Sequence, residues 1–389
     1  MVQNRGPFIL KRVKRLPITC CYILRNEEQF LSASLKSVVD RVSELVIVDF
    51  GSTDRTKEIA HSFLKRVPHF IWKDSTWENN FANARNSAAS EAHEPWILFI
   101  DGDEILDEKA FSKISAAIAE TTKISCYSFI QRNYTREPGL EEARRADSTP
   151  ADSLFDHSSL YFLENWMERL YRRDKGLLYE GRIHESLLPS VQQHGLIHSR
   201  LPVVLHHYGR LKSKTPEKLK YYLGLTEQKW KEENDHPVPW IELAINLMEL
   251  HEFEKAFDLA KRAVEKFPNT PEIIRVSFQA ALRAEEFSLS EIWIKNFLKL
   301  KPKDLYDKSQ LTTAYLYQKK FDDVFSLVEE IFREDPHNFV AHLNCGVIHF
   351  ENKSWDNASR HLAIAHSERP EDLFVSNALK KVNAILQND

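Results

Sequence analysis

Asp101 and Asp103 stand two apart across Gly102, directly after the apolar run Trp96-Ile-Leu-Phe-Ile. Carboxylates at that spacing can aim at one divalent ion, and hard oxygen ligands suit Mg²⁺ or Mn²⁺ bridging a diphosphate. Alone, an Asp-x-Asp pair usually marks a turn or a cap. Two further polar groups follow apolar runs in the same way: Asn26-Glu27, and Asp49 in Val48-Asp49-Phe50-Gly51-Ser52-Thr53-Asp54. As neighbouring strands, the three runs bring Asn26, Glu27, Asp49, Asp101 and Asp103 to one edge of one sheet. Farther along come His184-Glu185 and His206-His207. A histidine or a carboxylate in a partly closed site can act as a general base.

The elements that must carry these groups read as βα units. Residues 18–24 form a continuous apolar, β-prone run, and an amphipathic stretch with Phe30, Leu31, Leu35 and Val38 follows, which predicts strand, loop and helix. Residues 44–49 repeat the pattern, with Thr53 or Asp54 as the expected N-cap of a helix through Phe63. Such alternation implies a parallel sheet whose ligand sits outside the carboxyl ends of the strands. Between the second and third runs lies Trp77-Glu-Asn-Asn-Phe81-Ala-Asn-Ala-Arg85-Asn86. On a helix Phe81 and Arg85 lie one turn apart, so Phe81 can enter the core while Arg85 reaches either a phosphate or a structural partner in Asp101. Residues 125–134 predict another strand, and the polar stretch 135–160 either an acceptor loop or lid or plain disorder.

Composition divides the chain in two. Its 389 residues, 42% hydrophobic and 28% charged, suffice for two or three cores. Eight of the 10 glycines precede residue 211. A formal net charge of −4 supplies no basic field, so nucleic acid is not an expected partner. Cys20, Cys21, Cys126 and Cys345 form no CxxC, which argues against a zinc site or a disulfide framework and for reduced thiols in the cytoplasm. Basic residues at Arg5, Lys11, Arg12, Lys14 and Arg15 precede no signal-type apolar core, and no run of about 18 apolar residues occurs, so at most peripheral membrane contact is expected.

The second half has a clear period. Proline recurs at 268, 302, 336 and 370, and an aromatic residue at 253, 287, 321 and 355, each 34 residues apart. That is the period of the tetratricopeptide helix-turn-helix repeat, and the first and fourth units resemble it residue by residue. The first carries Trp240, Leu243, Ala244, Ala256, Ala263 and Pro268, and the fourth Gly346, Ala358, Ala365 and Pro370. Phe278 and Ser290 stand where the second unit needs small residues, which predicts a splayed helix pair there. Residues 371–387 read as a polar capping helix. An array of this kind offers a surface to a partner and performs no chemistry itself.

Residues 17–107 resemble the nucleotide-sugar half of a family 2 glycosyltransferase of the GT-A fold, through Asn26-Glu27, Val48 to Asp54 and Asp101-Gly102-Asp103-Glu104. The resemblance implies an α/β GT-A domain, Rossmann-like and nucleotide-sugar-binding, followed by an all-α tetratricopeptide solenoid. It implies that Glu27 and Asp49 contact uracil, that the Asp-x-Asp pair meets ribose, metal and diphosphate, and that Asp103 holds the metal most directly. Many members have Asp-Asp-Gly where this chain has Asp49-Phe50-Gly51. The Trp77 to Asn86 pattern, with attached repeats, is similar to the glycosyltransferases that attach a sugar to cysteine in glycopeptide bacteriocins. Lipopolysaccharide-core glycosyltransferases, which usually lack the array, are also similar.

The likeness to the bacteriocin-modifying enzymes continues through Glu168 to Arg173 and Gly181-Arg-Ile-His184-Glu185. Inverting displacement at an anomeric carbon needs a base near the acceptor and an electrophile on the leaving diphosphate. Glu185 is the first candidate for the base and His184 its rival, while a plain salt bridge from Glu185 to Arg182 is the structural alternative. The resemblance implies His207, two before Gly209, as a further metal or diphosphate ligand, and Lys212 and Lys214 can neutralise the diphosphate.

The domains expected are 1–210 for catalysis, 211–236 as a linking helix and 237–389 as repeats with a cap. The reading is a metal-dependent inverting transferase taking a UDP-sugar, with Mn²⁺ or Mg²⁺, to a peptide, protein or glycan acceptor. The array either recruits that acceptor or joins two copies of the chain. A non-catalytic repeat scaffold with a nucleotide-binding α/β domain is the rival. A nucleotidyltransferase is disfavoured, because no glycine-rich, lysine-containing phosphate loop follows the first strand.

Overall fold

A computed structural model describes residues 15–120, 123–136, 144–146, 149–150, 160–212, 215–370 and 372–387. Arg5, Lys11, Arg12, Lys14, Lys214 and most of the expected acceptor loop lie outside the described residues. Two compact units meet at the 214/215 boundary.

The first unit runs β1 (Leu16–Leu24), α1 (Leu31–Val38), β2 (Val42–Asp49), α2 (Thr56–Ser62), β3 (His69–Asp74), α3 (Phe81–Ser90), β4 (Trp96–Phe99) and β5 (Glu104–Leu106). It continues with α4 (Ala110–Glu120), β6 (Ile124–Thr135), β7 (Arg144–Arg145), β8 (Tyr161–Arg172), α5 (Leu188–Gln193) and β9 (Ile197–His207). The strands form one sheet in the order β3-β2-β1-β4-β8-β6-β9-β5, with β7 on β8.

β3, β2, β1 and β4 pair in parallel, as do β6 and β9 farther along the sheet. The expected parallel sheet is therefore mixed, because β8 enters antiparallel beside β4, with Leu98 opposite Leu170. The cause is local. β6 and β8 form a long antiparallel pair, from Cys126 opposite Tyr171 to Thr135 opposite Tyr161, and the buried Leu170-Tyr171 end of β8 completes the core beside β4.

Both sheet faces are covered, which is why β1 and β2 read as unbroken apolar runs. Leu31, Leu35 and Val38 of α1, with Phe111 and Ile114 of α4, pack on one face. Ala84 and Ala88 of α3, with Leu177, Leu187 and Val191, pack on the other. Each fully buried aliphatic or aromatic side chain contributes roughly 1.5–3 kcal/mol. Helix α2 begins at Thr56 with Arg55 at its N-cap, one or two residues beyond the expected cap. Asp54 still serves its first turn, its carboxylate accepting the Thr56 N–H at 3.0 Å.

The second unit contains α6 (Pro216–Glu232), α7 (Pro237–Glu249), α8 (Phe253–Lys266), α9 (Pro271–Arg283), α10 (Phe287–Leu300), α11 (Leu305–Tyr317), α12 (Phe321–Glu334), α13 (Phe339–Glu351), α14 (Trp355–Glu368) and α15 (Leu373–Leu386). The periodic aromatics Phe253, Phe287, Phe321 and Trp355 each open the second helix of a pair. The turns before them place His251, Glu285, Lys319 and Lys353 at φ between 57° and 61°. Each turn closes with a 6→1 bond, from Glu252 to Leu247 at 2.9 Å through to Ser354 to His349 at 2.8 Å. These are Schellman caps built without glycine.

Three expectations change here. The stretch read as a linking helix forms α6 within the helical unit, its Lys229 paired to Glu242 of α7 at 3.0 Å and Trp230 packed on Trp240. The α9–α10 pair is closed: Phe278 turns wholly into the core, and buried Ser290 comes close enough to donate to the Phe278 carbonyl at 3.1 Å. The capping helix α15 packs through Val375 and Val382 but exposes Leu373 and Phe374, so it is less polar than expected.

Candidate active site

The loops after β1 and β2 are stitched together. Asn26 adopts φ 58°, its backbone N–H donates to Ser52 Oγ at 2.9 Å, and its side-chain oxygen accepts the Thr53 N–H at 2.8 Å. The buried Asp49 carboxylate accepts the Ser52 N–H at 3.0 Å. Asn26 and Asp49 therefore shape the two loops that border the site. Glu27 faces inward, and its Cβ and Cγ pass directly over Gly102. A Cβ on Gly102 would lie 2.6 Å from Glu27 Cγ, so glycine is required for this approach.

Asp101 and Asp103 diverge rather than aim at one point. Asp101 receives both Arg85 Nη1 at 2.9 Å and Nη2 at 3.1 Å, and Arg169 Nη2 at 3.0 Å. Asp103 meets Lys212 Nζ at 2.8 Å and His207 Nε2 at 3.5 Å. Lys212 also pairs with Glu27. Burial alone would raise the Asp101 carboxyl, but the charges of Arg85 and Arg169 overcome it and hold it well below the usual carboxylate range. Glu27 is pushed up to about 7 by burial and by the charge of Asp103, against the pull of Lys212. Burial opposes the Lys212 charge, yet Asp103 and Glu27 raise its pKa above the ordinary value, so it stays an ammonium.

Arg85 links this edge to the later elements. Its guanidinium stacks over Phe99 at 5.2 Å and Tyr179 at 5.5 Å, and Nε donates to Glu185 Oε1. Both partners weighed from sequence are thus named: Arg85 pairs with Asp101, and Glu185 pairs with Arg85 instead of Arg182, whose Nη1 donates to the Asn79 carbonyl at 3.1 Å. The loop bearing Glu185 is closed by two backbone bonds of 3.0 Å between Glu180 and Ser186. Helix α3 holds it: Phe81 N–H donates to the Arg182 carbonyl at 2.8 Å, and Asn86 bonds the Tyr179 backbone at 2.9 and 2.8 Å. Buried Glu168 accepts Ser186 Oγ at 2.8 Å from the other side. His184 sits on the same loop, exposed, at φ 52°.

No group of three or more His, Cys, Asp or Glu in metal-holding arrangement occurs among the described residues. The donor chemistry at Asp103 and His207 still fits a divalent ion that takes its other ligands from a diphosphate and water. His207 Nδ1 lies 2.6 Å from Asn133 Oδ1. Because Asn133 Nδ2 donates to Asn165 at 2.6 Å, its oxygen faces the ring and accepts from Nδ1–H, which turns Nε2 toward Asp103 at 3.5 Å. This is the orientation by an outer partner that metal-binding histidines show.

Three participants escaped the sequence reading. Arg169, 2% exposed, bridges Asp101 and Glu104. Glu104, fully buried, also accepts Gln131 Nε2 at 2.6 Å and the Asp101 N–H at 2.9 Å. Asn133 orients His207. A charged residue inside the apolar end of a strand, as in Glu168-Arg169-Leu170-Tyr171, is the signal that could have found the first.

Residues 19–173 match the family described as Glycosyl transferase family 2. The chain is 26% identical over 255 residues to the SPbeta prophage-derived glycosyltransferase SunS of Bacillus subtilis, covering 64% of this chain and 54% of the relative. It is 27% identical over 178 residues to the lipopolysaccharide core biosynthesis glycosyltransferase LpsC of Rhizobium meliloti, covering 46% and 59%. A TPR repeat-containing protein of Synechococcus elongatus is 30% identical over 150 residues, with 35% and 36% covered. The chain thus spans less than two thirds of each of these relatives. Among solved structures, YrrB, a TPR protein with an unusual peptide-binding site, matches 42% of this chain and 84% of its own at 15% identity, with a TM-score of 0.36. The mixed α/β unit, with its acidic edge after β1 and β4, therefore carries a family 2 glycosyltransferase domain over residues 19–173, followed by a helical repeat unit.

Proposed function

We propose that this protein is an inverting glycosyltransferase, acting in the cytoplasm, that moves a sugar from a UDP-sugar to a peptide, protein or glycan acceptor. The observation that carries this reading is the meeting of Glu27, Asp101, Asp103, His207 and the Arg85–Glu185 pair at the carboxyl edge of β1 and β4. Asn26 and Asp49 hold the loops against which a uracil ring would lie, and Glu27 borders the same edge. Asp103 and His207 would hold Mn²⁺ or Mg²⁺, which neutralises charge developing on the leaving diphosphate.

Glu185 is the base. Arg85 fixes Oε1, which leaves Oε2 to take the acceptor proton as the acceptor atom bonds to the anomeric carbon and the bond to UDP breaks. His184, farther out on the loop, is the alternative base. The helical unit recruits the acceptor, and the bacteriocin-type resemblance makes a peptide thiol the first acceptor to try. If the array instead joins two copies of the chain, sedimentation will show a dimer.

Incubation with a panel of UDP-sugars, with released UDP as the readout, tests the reading. Turnover that Asp103→Ala abolishes supports it. UDP binding without turnover for any donor or acceptor would favour the non-catalytic scaffold.

A further inference from the structure

Lys212 is held in a pocket made for a cation. Its ammonium meets Glu27 Oε2 and, at 2.8 Å, Asp103 Oδ2, and lies 5.7 Å from the centre of the Phe30 ring. Phe30 is itself fixed by stacking on Tyr208 at 5.4 Å. The approach of β9 that brings Lys212 here depends on Gly209, where a Cβ would lie 2.6 Å from His207 Nε2 and 3.0 Å from Asp103 Oδ2. The Lys212 side chain is 18% exposed, and its two carboxylate partners come from the separate loops after β1 and β4.

The two oxygens of Asp103 face different partners. Oδ2 faces Lys212, and Oδ1 faces His207 Nε2. A divalent ion held by Asp103 and His207 would share one carboxylate with an ammonium already in place, in a pocket where water screens poorly. Like charges so placed repel, and the carboxylate cannot fully satisfy both. Without Lys212, Glu27 and Asp103 would stand as two buried carboxylates with no cation between them.

We propose that Lys212 is the resident counter-cation of the donor site, which balances Glu27 and Asp103 in the free protein and competes with the divalent ion for Asp103. Once the ion and the diphosphate are bound, the same ammonium is left beside the phosphate oxygens. This rests on the reading of Asp103 as a metal ligand.

Calorimetric titration of the full chain with Mn²⁺ alone tests the proposal without any turnover. Lys212→Met is expected to bind Mn²⁺ about tenfold more tightly than the unmodified chain, Lys212→Arg to bind it much as the unmodified chain does, and Asp103→Asn not to bind it. With Mn²⁺ saturating, Lys212→Met should bind UDP several-fold more weakly. Lys212→Gln, which keeps a hydrogen-bond donor, serves if Lys212→Met does not fold. Equal or weaker Mn²⁺ binding by the neutral variants, with Asp103-dependent binding intact, overturns the competition and leaves the metal reading standing. Absence of Mn²⁺ binding in every variant overturns both.

Discussion

At Asp101, two buried guanidinium groups meet one carboxylate, and each serves a second acid as well: Glu185 for Arg85 and Glu104 for Arg169. Removing one partner from such a network leaves an uncompensated buried charge, which costs roughly 3–5 kcal/mol. Arg169→Met is therefore expected to lower the stability of the α/β unit by about that much in chemical denaturation. Asp103→Ala differs, because Lys212 keeps Glu27 as a carboxylate partner when Asp103 is removed. It should lose about 100-fold or more in UDP release while the denaturation midpoint changes little. Gly102→Ala forces Glu27 aside, so UDP affinity should fall together with a loss of about 1–3 kcal/mol in stability.

Among the elements, the helical turns carry the most regular feature. His251, Glu285, Lys319 and Lys353 occupy left-handed conformations that disfavour a Cβ. Replacing any one by glycine is expected to stabilise the helical unit by up to about 1 kcal/mol, read as a higher thermal midpoint. Helices α13 and α14 meet through a histidine pair. His342 Nε2 donates to the Pro336 carbonyl at 2.9 Å, so its Nδ1 accepts from His361 Nδ1 at 2.9 Å. His342 must then be neutral, since its Nδ1 carries no proton. Burial, with the charges of His342, His349 and Arg360, pushes His361 from 6.5 down to about 4. The unfolded chain therefore takes up this proton first as pH falls. Stability is full above about 6.5 and declines toward about 4. After allowance for solvent screening, the loss at pH 5 should be about 1 kcal/mol, and His361→Asn should flatten the profile.

For the whole molecule, the two units bury separate cores, one set under the sheet and one along the helices. A single unfolding transition is then not expected. Scanning calorimetry should show two, and UDP with Mn²⁺ at about 100 times its dissociation constant should stabilise only the α/β transition, by about 2.7 kcal/mol. A shift in both transitions would mean that the helical unit takes part in binding the donor.

Much of this organisation is legible in the chain alone, because hydrophobic period and turn chemistry are local. The 34-residue spacing of proline and aromatics locates the helix pairs closed by α8, α10, α12 and α14, and the polar groups after apolar runs point to the carboxyl edge of β1, β2 and β4. What spacing cannot specify is the direction of a side chain or its partner across the fold. Asp101 and Asp103 look equivalent two residues apart, yet one is taken by Arg85 and Arg169, and the other by Lys212 and His207. Ser290 looked too large for close packing, yet its hydroxyl found the Phe278 carbonyl. Sequence determined the elements and the acidic edge. Tertiary structure decided which charges meet, because the partners come from α3, β8, β9 and the segments after β4 and β9, and only the assembled sheet brings them within hydrogen-bond distance.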